Sequence, residues 1–129
     1  IQQADVLIID NMGMLSALYS YADFAFIGGA FGKGLHNTLE AATFGVPIFF
    51  GNKKHQKFQE AQDMLGLGSA FAIDSDKDFA SIFTRLYENP TERIDLGNKN
   101  ANYVKENLGA TDKIIEFCLL VLRQNNSDL

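Results

Sequence analysis

Phe24-Ala25-Phe26-Ile27-Gly28-Gly29-Ala30-Phe31-Gly32-Lys33-Gly34-Leu35-His36-Asn37-Thr38-Leu39-Glu40-Ala41-Ala42 is the stretch on which the fold turns. Its first four residues are apolar without alternation, the pattern of a strand buried on both faces. Gly28-Gly29 stop that strand. A glycine-rich loop follows, and His36 to Phe44 has helical spacing, with Leu39, Ala42 and Thr43 on one side. Gly45 closes the helix as a C-terminal cap. A buried strand, a glycine loop and a helix in that order predict a parallel sheet with crossover helices.

The rest of the chain repeats the alternation. Upstream, Val6-Leu7-Ile8-Ile9 reads as another buried parallel strand ending at Asp10, and Met12 to Tyr21 as a helix. Downstream, Val46 to Phe50 is a strand, with Pro47 tolerable at its beginning. Phe58 to Leu65 is a helix, Ser69 to Ile73 a short strand and Lys77 to Glu88 a helix capped by Asp74 or Ser75. Pro90 opens a helix to about Leu108, and Thr111 or Asp112 begins a last one to about Arg123. The expected fold is α/β: a three-layer, Rossmann-like parallel sheet flanked by helices. Right-handed crossovers put the strands' C-terminal ends on one edge. Asp10-Asn11, Gly28 to Gly34 and Gly51 to Lys54 meet there, where ligands of such sheets bind.

Composition narrows the function classes. The 129 residues are 47% apolar and suit one domain. A single cysteine excludes an internal disulfide or Cys-cluster zinc site, and two histidines disfavour a multi-histidine metal site. The net charge of -5 argues against nucleic-acid binding by bulk charge. Yet residues 33 to 57 hold four lysines against one acid, Glu40. Such a stretch concentrates an anionic ligand, or is only a solvated lysine loop.

The glycine loop carries the chemistry. Glycines let a backbone approach a ligand closely. A helix behind them offers free N–H groups to a phosphate, here near Leu35, His36 and Asn37. Lys33 adds a charge-assisted contact. Glu40, roughly 5 Å along the helix, can accept two hydrogen bonds from a ribose diol. The loop is neither a P-loop nor the dinucleotide fingerprint. The plain alternatives are glycines serving only chain geometry, a capping His36 and a Glu40 favoured only by the helix dipole. Asp10 reads as a cap, His55 as an exposed loop residue and Cys118 as a packed small hydrophobe. The last helix is apolar nearly all round. It is either fully buried or carries a face for another domain or a second copy.

Gly32-Lys33-Gly34-Leu35-His36-Asn37-Thr38-Leu39-Glu40-Ala41 resembles the Gly-Gly-His-Asn-x-Leu-Glu motif of the 3-deoxy-D-manno-octulosonic acid (Kdo) transferases. Asp10 to Leu15 resembles that family's Asp-Thr-Met-Gly-Glu-Leu, Tyr21 to Gly29 its Tyr-x-x-Ala-Asp-x-Ala-Phe-Val-Gly-Gly, and Phe44 to Gly51 its Gly-Val-Pro element. Leu35 stands where a second glycine is usual, Thr38 for a proline, Met14 for a glutamate and Asn11 for a threonine.

The resemblance implies the C-terminal, donor-binding half of a GT-B enzyme. Such an enzyme transfers Kdo from CMP-Kdo to a lipid A precursor at the cytoplasmic face of the inner membrane, without a metal or other cofactor. It places His36, Asn37 and Glu40 at the nucleotide, with the backbone of Met12 and Gly13 near base or phosphate. Gly32, Lys33 and Gly34 join them as binding candidates, Lys33 on physical grounds alone. The acceptor half and the catalytic base lie outside residues 1–129, so the chain reads as a piece excised from a longer protein, incomplete on its N-terminal side and inactive alone. Residues 112–123 offer a contact for a second copy. The rival readings are another GT-B nucleotide-sugar transferase and a non-catalytic α/β interaction module.

Overall fold

The computed structural model describes residues 4–11 and 13–126. Among these residues, three parallel strands form one sheet in the order β1 (Ala25–Ile27), β2 (Ile48–Gly51), β3 (Ala70–Ile73). Ala25 pairs with Ile48, and Ile48 with Ala70. Six helices accompany them among the described residues: α1 (Leu15–Tyr19), α2 (Leu39–Thr43), α3 (Gln59–Gly66), α4 (Asp76–Glu88), α5 (Pro90–Glu106) and α6 (Ala110–Asn126).

The pleat divides the core in two. Ala25, Ile27, Ile48, Phe50 and Ala70 pack on one face with Ala41 and Ala42 of α2 and Ala61 and Met64 of α3. Phe49 and Ile73 point to the other face, against Leu86 of α4 and Leu96 of α5. Alternate residues of β2 thus serve opposite cores, so the strand is apolar throughout. Phe24, Phe49, Phe71, Phe79 and Phe83 join on the α4 side through ring centroids 4.7–6.1 Å apart.

Local chemistry sets the element ends. The Asp78 N–H donates to Ser75 Oγ (3.2 Å), and Ser75 Oγ donates to the Asp78 carboxylate (2.8 Å), a reciprocal start to α4. Asn89 caps α5 through the Glu92 N–H at 3.1 Å, with Pro90 in the first turn. Gly45 follows α2 at φ +70°. A Cβ on Gly97 of α5 would collide with the Gly45 carbonyl, so glycine there sets how closely α5 approaches the α2–β2 turn. Asn100, fully buried in α5, donates its amide to the Val46 carbonyl (2.8 Å) and the Ser69 carbonyl (3.1 Å). It fastens α5 to the entrances of β2 and β3.

Several expectations change. Val6 to Ile9 forms no strand; its side chains are exposed, Ile8 at 85%. An apolar parallel strand needs cover on both faces, and α3 and α4 spread over β2 and β3. Even Phe26 in β1 is half exposed. The first two helices are short, five residues each, and α2 begins at Leu39. Asp10 is exposed and caps no helix among the described residues; the N-cap of α1 is Met14, without a side-chain hydrogen bond. His55 is buried, 5% exposed, with its ring 5.4 Å from that of Phe50. Cys118 is exposed, because residues 110–124 of α6 all lie away from the core. The fully buried reading of that helix is therefore wrong.

Candidate functional site

The loop between β1 and α2 is built from its own backbone. The Gly32 and Gly34 N–H groups both donate to the Gly29 carbonyl, at 2.8 and 3.2 Å, and the His36 N–H donates to the Gly28 carbonyl at 3.1 Å. Gly29 sits at φ +91°, and a Cβ there would strike the Gly34 carbonyl and lie 2.8 Å from the His36 ring. The glycine therefore lets the loop fold back under the imidazole. This corrects the expected phosphate cradle: the His36 N–H is already bonded, and the helix begins three residues beyond it.

Asn37 spends its amide inside the chain. Its Oδ1 accepts from the Leu39 N–H (3.0 Å), turning the chain into α2, and its Nδ2 donates to Glu40 Oε1 (3.0 Å). Glu40 stays exposed, so its carboxylate is held from one side and open on the other. His36, Asn37 and Glu40 share a hollow of about 380 Å³ with Leu15, Tyr19 and Phe26. Glu40 also borders an adjoining hollow with Asn11, Gly13 and Ser16. Burial, then the negative charge of Glu40, pushes the Tyr19 hydroxyl above its ordinary pKa.

The expected site residues thus divide. His36, Asn37 and Glu40 come together, with Gly13 across Glu40 from them. Lys33 and Gly34 open onto a different hollow, shared with Lys53, Lys54 and Lys57. Gly32 lies inside the loop. Met12 lies outside the described residues. Sequence reasoning missed Tyr19 as a site residue. A tyrosine in a helical segment carries no local sign of a site; only the packing of α1 against α2 brings it beside Glu40.

The chain is 35% identical over 116 residues to a 3-deoxy-D-manno-octulosonic acid transferase of Chlamydophila psittaci, covering 88% of this chain and 27% of that protein. A transferase of the same name from Rickettsia prowazekii is 32% identical over 120 residues, 93% of this chain and 26% of the relative. The chain belongs to the Kdo transferase family. One from Chlamydia muridarum reaches 49% identity over 57 residues, 43% of this chain and 13% of that protein. The chain spans about a quarter of the length of the first two Kdo transferases. No family model matches it, and no solved structure does. Among the described residues, no helix is long and apolar enough to cross a membrane.

Proposed function

We propose that this chain is the donor-binding domain of a glycosyltransferase that moves Kdo from CMP-Kdo to a lipid A precursor. The observation that carries the reading is Glu40, held by Asn37 with its free side facing the hollow under His36. A carboxylate so placed accepts both hydroxyls of a ribose. Tyr19, Phe26 and Leu15 supply apolar wall for the rest of the nucleoside. Gly13 lies across Glu40, beside the ligand's other edge.

In this reading the acceptor lipid, the catalytic base and the contact with the cytoplasmic face of the inner membrane belong to the remainder of a longer enzyme. The 129 residues alone have no transfer activity, and the exposed apolar side of α6 meets that remainder. The chemistry of this domain is to bind and orient the donor, and it calls on no metal.

The test is a titration of the chain with CMP, UMP and AMP followed by amide NMR, beside Glu40→Gln. We expect CMP-selective shifts at Gly28 and His36 to Glu40, weakened about tenfold in the variant, the loss of a hydrogen-bonded charge. Shifts that favour UMP point instead to another nucleotide-sugar transferase. No response to any nucleotide, here or in a longer polypeptide carrying this domain, overturns the reading.

A further inference from the structure

Four lysines converge beside the glycine loop. Lys33 from that loop and Lys53, Lys54 and Lys57 from the segment after β2 line one hollow of about 300 Å³, with Phe58 in its wall. Among the described residues, none of the four side chains forms an ion pair or hydrogen bond. Arg85, Arg93 and Lys99, by contrast, are ion-paired, far along the chain in α4 and α5. An acidic protein that leaves four lysines together without a counter-charge accepts a repulsion that a bound anion would relieve.

The lysines are carried on an anchored frame. The Asn52 N–H donates to the Ile73 carbonyl (3.0 Å), and the Asn52 amide to Asp74 (2.8 Å), which ties the front of the segment to the end of β3. His55, buried against Phe50, pins its middle. The His55 carbonyl accepts from the Phe58 N–H at 3.0 Å, which leads the chain into α3. A Cβ on Gly51 would lie 2.7 Å from the Phe31 ring, so the glycine loop rests directly on this segment. That contact brings Lys33 to the other three.

We propose that this hollow is an anion subsite for a phosphate-bearing group of a small soluble ligand, separate from the Glu40 hollow. An aromatic wall and cations from two different loops suit a discrete multiply charged group, and pairing with lysine ammoniums contributes most where the frame already holds them. The assignment stands without the nucleotide reading, because its residues and those of the Glu40 hollow do not overlap.

Pyrophosphate is the probe, titrated into the chain by amide NMR, with phosphatidylglycerol and phosphatidylcholine vesicles in parallel. We expect saturable shifts at residues 33–34 and 53–58, weakened about tenfold or more in K54Q/K57Q. Both lysines are exposed, so the variant keeps the fold, which unchanged amide positions for Ile27 and Phe50 verify. Its response to CMP at Glu40 stays as in the parent chain, so failure here is separable from failure of the nucleotide reading. Shifts that do not saturate, or that appear equally at Lys77, Lys99 and Lys105, overturn the subsite. Binding to phosphatidylglycerol vesicles without a pyrophosphate response also overturns it, and assigns the lysines to a membrane surface instead.

Discussion

Asn37 does two jobs with one amide, and its loss is instructive at the residue scale. Asn37→Ala removes the turn into α2 and the hold on Glu40 together. We expect a stability loss of about 1 kcal/mol in urea denaturation, with a weaker CMP response than the parent chain. Asn37→Asp keeps the turn but sets two like charges side by side, so it restores stability and not binding. Gly29→Ala tests the loop itself. The left-handed φ and the blocked Cβ direction predict a loss of about 1–3 kcal/mol, read by the same denaturation. The glycine, histidine, asparagine and glutamate of the site were all legible in the sequence, because their order is local. That Asn37 serves Glu40, and that the His36 N–H is already bonded, was not. Both follow from where α2 starts, and three residues of helix boundary cannot be read from spacing.

At the scale of elements, α5 is the fastening. Asn100 donates to two buried carbonyls at the entrances of different strands, so Asn100→Ala takes its donor from the Val46 carbonyl, leaves the Ser69 carbonyl with only the Ile48 N–H, and opens a small void. A loss of about 2–4 kcal/mol is expected, measured as a shift in the denaturation midpoint at unchanged slope. One turn further on, Tyr103 donates to Asp63 of α3 at 2.8 Å. Burial first, then that hydrogen bond and the charge of Asp63, pushes the Tyr103 hydroxyl up to about 12, from 10.0. The folded state therefore holds this proton more tightly than the unfolded chain. The resulting stabilisation is complete below pH 10 and is lost as the pH rises toward 12. Tyr103→Phe removes that part of the alkaline dependence, and melting temperatures taken across this range would show the parent and variant curves converging. The pairing of a helix tyrosine with a helix aspartate 40 residues away was invisible in the sequence. The helices that carry them were plain.

Across the whole molecule, the main imbalance of cover is between the sheet and α6. β2 is buried at every position, whereas Phe117 of α6 is 67% exposed and Leu120 52%. Replacing both by serine removes no packed core contact, so the fold keeps its stability within about 0.5 kcal/mol. We expect the same change to lower self-association of the chain, measured by sedimentation at increasing concentration; unchanged association shows that α6 is not the contact. The sequence by itself determined the α/β class, the parallel alternation from Phe24 onward, a helix start capped at Asp74 or Ser75, another opened by Pro90, and the family, since each depends on residue type at short spacing. Only the tertiary structure decided that Val6 to Ile9 stays outside the sheet, that His55 is buried while Cys118 is exposed, and that Lys33 turns toward Lys53, Lys54 and Lys57. Burial depends on which neighbours cover a residue from distant parts of the chain, and no local pattern carries that information.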